Sequence, residues 1–106
     1  MEYKFTEENF EQEVLQAEIP VFVDMYADWC GPCKMMGPLI AQLAEEYDGR
    51  AKIGKLNVDE SQDIAIRYGV MSIPTMLVFK NGEVVGKIVG ASPKSALAAE
   101  LDKALA

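Results

Sequence analysis

Histidine is absent from this chain of 106 residues. The gap removes histidine-based triads and histidine-rich metal sites, and it leaves acid–base work near neutral pH to a carboxylate, a lysine or a thiol of displaced pKa. Cysteine is scarce as well, with two residues, Cys30 and Cys33. Basic residues number 10 against 17 acidic ones, for a formal charge of −7, and they are scattered. Such a surface repels phosphate backbones, so no nucleic-acid partner is expected; the same charge favours solubility. Long apolar runs are missing too. Pro20 to Val23 and Ile73 to Phe79 fall far short of the roughly 18 to 20 residues that cross a bilayer, so no membrane partner is expected. The stretch Met1-Glu2-Tyr3-Lys4-Phe5 has neither the basic start nor the apolar core of a secretory signal, and a cytoplasmic location is the expectation.

What remains is ordinary for a folded domain: half the residues are apolar and a quarter charged. Length, and the lack of repeats or a linker, predict one domain over residues 1–106. Short strands alternate with helices. After a short strand at Tyr3 to Phe5, Thr6 is a candidate cap for a helix with Glu7 and Glu8 in its first turn and an apolar stripe of Phe10, Val14 and Leu15. Val21 to Ala27 reads as a strand buried on both faces, with Asp24 as its anomaly. Helical spacing follows from Pro32 to Tyr47 (Met36, Leu39, Ile40, Leu43, Tyr47), with a kink expected at Pro38. Ala51 to Val58 is a second strand, Asp59 to Tyr68 a short helix stopped by Gly69, and Thr75 to Lys80 a third strand. Asn81-Gly82 predicts a hairpin that lays Glu83 to Val89 antiparallel to its neighbour. Ser92 and Pro93 read as the cap and first position of a terminal helix bearing Leu97, Leu101 and Leu105. The pattern predicts an α/β fold: a central mixed sheet, parallel at the front, with helices on both faces.

Cys30 and Cys33, separated by Gly31-Pro32, fall where a buried strand passes into a helix. Free amides and the dipole at a helix start favour a thiolate over a thiol, and Pro32 stiffens the turn without losing a needed donor. This is the pattern of a redox pair. Three duller readings compete with it: a structural disulfide, which would close too small a loop to remove much unfolded-state entropy; a zinc site, which two cysteines cannot complete alone; and coincidence. Asp24 invites a proton-transfer role, because burial raises a carboxylate's pKa toward neutrality; the alternative is a structural salt bridge with Lys55. Pro74 sits at a strand start, where a cis bond is possible although an X-Pro bond is usually trans. Trp29 suits either a docking surface around the cysteines, with Gly90 and Ala91, or plain core packing.

Val23-Asp24, Trp29-Cys30-Gly31-Pro32-Cys33-Lys34, Lys55-Leu56-Asn57-Val58-Asp59, Ile73-Pro74-Thr75, and Gly82 with Gly90 resemble the thioredoxin family in order and spacing, over essentially the whole chain. The resemblance implies the thioredoxin fold and protein disulfide reduction. In it Cys30 is an exposed nucleophile and Cys33 a more buried resolving thiol, the two forming the redox disulfide. It further implies a cis Pro74, Asp24 and Lys55 as a buried charged pair behind the disulfide, and a docking surface made by Trp29, Gly31, Pro32, Ile73, Pro74, Gly90 and Ala91. The implied partners are disulfide-containing proteins and a thioredoxin reductase; the implied state is a monomer without cofactor or metal. Tyr26, Met25 and Gly37 depart from the residues commonest in that family.

Overall fold

A computed structural model describes residues 1–106. Five strands, β1 (Glu2–Phe5), β2 (Val21–Tyr26), β3 (Lys52–Asn57), β4 (Thr75–Lys80) and β5 (Glu83–Val89), form one mixed sheet in the order β1-β3-β2-β4-β5. β3 runs parallel to both β1 and β2, whereas β4 is antiparallel to β2 and to β5. The Asn81-Gly82 turn closes the β4–β5 hairpin as expected, both residues having positive φ (54° and 80°), as a type I′ turn requires.

β2 lies at the centre and is buried along Val21 to Met25. Its alternate side chains feed two cores, which is why it reads as a continuous apolar run. Phe22 joins Ile53, Met76 and Val78 beneath two helices, α1 (Gly31–Glu46) and α3 (Lys94–Leu105). Val21, Val23 and Met25 join Leu56, Leu77 and Phe79 on the opposite face, under Phe10, Val14 and a short helix, α2 (Gln62–Arg67), which contributes Ile64. Asp24 has the parity of Phe22, so it falls on the α1 face.

Two local expectations change. Thr6 does cap, its Oγ1 accepting from the Asn9 amide (3.3 Å) while Asn9 Oδ1 accepts from the Thr6 amide (2.8 Å). This reciprocal pair holds a turn, however, and the regular helix is confined to a π-helical segment at Glu11–Leu15, where the Gln16 amide donates to Glu11 O at 3.0 Å. The wider turn keeps Phe10, Val14 and Ala17 on the sheet-facing side. At the other end Pro93, not Ser92, is the N-cap of α3, because the Ser92 hydroxyl donates to Gly90 O instead. α1 continues through Pro38 as a single helix. Proline removes the bond to the Lys34 carbonyl, and Lys34 and Pro38 both lie on the exposed side of the helix.

Gly54 locks β1 onto β3. A Cβ there would sit 2.5 Å from Tyr3 O and 2.6 Å from a Phe5 ring carbon. Gly54→Ala therefore forces β1 outward, and we expect a loss of about 1–3 kcal/mol, the usual cost of overpacking. Urea unfolding measures it; an unchanged midpoint would mean that β1 docks without this close approach.

Candidate active site

The β2-to-α1 junction places both cysteines. Cys30 is the N-cap of α1 with extended backbone (φ −89°, ψ 112°), and its sulfur accepts a hydrogen bond from the Cys33 amide at 3.2 Å. That amide is one of the donors a helix start leaves without a carbonyl partner, so a sulfur atom has taken the place a serine or aspartate oxygen fills in other caps. Pro32 occupies the first turn, where a missing N–H costs nothing. Cys30 and Cys33 are joined as a disulfide with Cα atoms 5.2 Å apart. The expected contrast between an exposed Cys30 and a deeper Cys33 is not seen: they are 5% and 4% exposed. In this oxidised state each sulfur covers the other, and the Ile73 carbonyl oxygen lies 3.9 Å from Cys30 Sγ.

The Ile73–Pro74 bond is cis. Pro74 is buried and Ile73 half-buried at the start of β4. The Gly90 amide donates to Pro74 O at 2.8 Å, which ties the end of β5 to the same loop, and Gly90 meets this geometry with φ of 90°. Ala91, Gly31 and Pro32 are exposed. Trp29 is not a core residue: it is 71% exposed and donates from Nε1 to Asp59 Oδ2 at 2.9 Å, so the indole is held beside the cysteines while its face remains open to water. Sequence reading gave Asp59 no role; its position just after β3 becomes meaningful only when β3 lies beside β2.

Asp24 is 1% exposed, and neither carboxylate oxygen has a hydrogen-bond partner in the protein. Burial pushes its pKa up to about 7, with Lys55 lowering it and Glu2 raising it. Asp24 and Lys55 are register partners across β2 and β3. Even so, the expected buried charged pair is not formed as a direct contact. Lys55 is 33% exposed at its side chain, and its Nζ lies 4.0 Å from Glu2 Oε2 and 5.1 Å from the Tyr26 ring centroid. Water is a cheaper neighbour for a lysine than a dry carboxylate, so the ammonium turns outward. A cleft of about 340 Å³ lined by Tyr26, Asp28, Cys33, Lys34, Gly37 and Lys55 runs from Cys33 to this ammonium.

A dithiol at a helix start, beside a cis-proline loop, with a buried carboxylate on the strand that leads into it, is suited to thiol–disulfide exchange. No helix is long and apolar enough to cross a membrane. The family model described as Thioredoxin matches residues 2–103. Among curated proteins, the chain is 52% identical over 101 residues to "Thioredoxin" of Chlorobaculum thiosulfatiphilum, covering 95% of this chain and 94% of that one. It is 53% identical over 97 residues to "Thioredoxin" of Pseudomonas aeruginosa, covering 92% and 90% respectively. To "Thioredoxin 1" of Nostoc sp. it is 46% identical over 100 residues, covering 94% of each chain. With such identity sustained along nearly its whole length and the cysteine pair intact, the chain belongs to the thioredoxin family, a thiol–disulfide oxidoreductase that reduces protein disulfides.

Proposed function

We propose that Cys30 is the attacking thiol and Cys33 the resolving one. The observation that carries this assignment is the Cys33 amide directed at Cys30 Sγ, a donor that favours the thiolate at position 30 over the thiol. In the first step the Cys30 thiolate attacks one sulfur of a substrate disulfide; the substrate S–S bond breaks, a mixed disulfide forms, and the departing substrate thiolate takes up a proton. In the second, Cys33 gives its proton to Asp24, directly or through a water, and attacks Cys30 Sγ. The mixed disulfide breaks and the second substrate thiol leaves. Two electrons have passed to the substrate, and the Cys30–Cys33 disulfide is then returned to the dithiol by a thioredoxin reductase.

Trp29, Gly31, Pro32, Ile73, Pro74, Gly90 and Ala91 are the surface we assign to substrate docking. Lys55 serves as the cation that moderates Asp24. Every residue in this scheme comes from one chain, consistent with action as a monomer. A cytoplasmic location fits the chemistry, because a reductant must work where thiols are kept reduced.

Insulin-disulfide reduction in the presence of a thiol reductant or a candidate reductase tests the assignment. The wild-type protein is expected to accelerate insulin precipitation, and Cys30→Ser to abolish the acceleration. Retained acceleration by Cys30→Ser would remove Cys30 from the attacking role.

A further inference from the structure

Strand order gathers charged residues on the α1 face. β3 lies between β1 and β2, and Lys55 is in register with Asp24 of β2 on one side and Lys4 of β1 on the other, while Glu2, two residues before Lys4 and on the same face, reaches it diagonally. Its ammonium has two anionic destinations. Glu2 is the less costly of them, since its side chain remains 32% exposed and pairing there strips away less water than pairing with fully buried Asp24. The observed position agrees: Nζ is 4.0 Å from Glu2 Oε2 and rests on the Tyr26 ring. It also lies close to α1, 3.9 Å from where a Cβ on Gly37 would project, an ordinary contact distance. Two clefts meet at this point. The outer one, about 240 Å³, is lined by Glu2, Tyr3, Lys4, Tyr26 and Lys55. The inner one, described above, reaches Cys33, and the two share Tyr26 and Lys55.

We propose that Glu2 is a positioning residue, whose carboxylate anchors the Lys55 ammonium at the junction of the two clefts and so leaves Asp24 without a cation bonded to it. The catalytic consequence rests on the reading of Asp24 as proton acceptor for Cys33; the positioning itself does not. With Glu2 charged, Asp24 retains its proton affinity near neutral pH and can take the proton that Cys33 must lose. Without it, Lys55 is free to swing inward and hold Asp24 ionised, which weakens it as a base.

The other groups around Asp24 do not offer the same control. Lys4 of β1 is engaged with Glu60 at 3.8 Å. β4 sets Met76 opposite Asp24, which has no charge to contribute. Tyr26 follows on the same strand, Asp28 lies beyond its end, and α1 brings Cys33 and Lys34 to the inner cleft. Among these, only Lys55 and Glu2 act on Asp24 strongly enough to matter beside its burial, and they act in opposite senses.

The test is a carboxyl carbon NMR titration of Asp24 in the oxidised protein, comparing wild type, Glu2→Gln, Lys55→Met and the double variant. In Glu2→Gln the Asp24 midpoint is expected to fall by about half a pH unit or more, through loss of a like charge and approach of an opposite one. In the Lys55→Met background the same substitution should move it by less than about half as much. An unmoved midpoint in Glu2→Gln would overturn the proposal, and so would a shift of equal size with and without Lys55, since Glu2 would then act by its own charge alone. The same spectra report folding, and Glu2→Leu replaces the glutamine variant if the amide disturbs β1. Because the readout is a titration, it stands apart from the Asp24 mechanism. If the midpoint moves while the rate of mixed-disulfide resolution at pH 7 is unchanged, Glu2 positions Lys55 as stated and it is the acceptor role of Asp24 that fails.

Discussion

Cys33→Ser is expected to convert the protein from a catalyst into a trap. Cys30 keeps its place at the helix start and the amide of residue 33 still points at its sulfur, since that hydrogen bond comes from the backbone. The first exchange therefore proceeds. The serine hydroxyl cannot displace a sulfur from a disulfide, so the mixed disulfide persists and steady-state insulin reduction falls by on the order of a thousandfold or more, as for other essential nucleophiles. Mass spectrometry should find substrate attached at Cys30, releasable by dithiothreitol. Unimpaired turnover would show that Cys33 does not resolve the complex and that external thiols do. The size of the effect follows from proximity: the resolving thiol sits three residues away with Cα atoms 5.2 Å apart, which replaces a bimolecular encounter with an intramolecular one.

Asp24→Asn is expected to raise stability, and by an amount that depends on pH. The folded-state pKa of Asp24 is raised from the ordinary 3.8 to about 7 by burial. Between those values the native protein holds a proton that the unfolded chain has released, so raising the pH favours unfolding. Relative to its level below about pH 4, stability declines across that window and levels off above about pH 7, where the total cost approaches roughly 4 kcal/mol at about 1.4 kcal/mol per pH unit. Asparagine never ionises and escapes this cost. Urea unfolding of the oxidised forms should show the variant more stable by up to about 4 kcal/mol at pH 8 and nearly equal to wild type at pH 3.5. A gain of the same size at both pH values would mean that the carboxylate charge is not what destabilises the site. Catalysis should respond in the opposite direction, with mixed-disulfide resolution slowed near neutral pH because Cys33 has lost its acceptor. The two results together would show that the burial of Asp24 serves chemistry rather than packing.

Much of the architecture could be read from local chemistry. Val21 to Met25 is apolar at nearly every position because both its faces are covered, and that run identified the central strand. Asn81-Gly82 identified the hairpin to the residue, since a type I′ turn needs two successive residues of positive φ and few dipeptides provide them. The departures came where side chains compete with the backbone. Thr6 and Asn9 bond to each other's amides and confine the first helix to a π-helical segment, and Ser92 spends its hydroxyl on Gly90 O, moving the cap of α3 to Pro93.

The chemistry is legible locally: a lone cysteine pair with Pro32 between a buried strand and a helix, no histidine to share the work, and a carboxylate set in an apolar strand. Each of these lies within a few residues of the others, so short-range rules reach them. The support for that chemistry comes from long-range contacts. The order β1-β3-β2 brings Glu2 within 4.0 Å of Lys55, and the loop before β4 sets the Ile73 carbonyl beside Cys30. Such contacts join residues more than forty positions apart. Their partners are chosen by which strands pair and which side chains can keep their water, and neither is written in any local stretch of the chain.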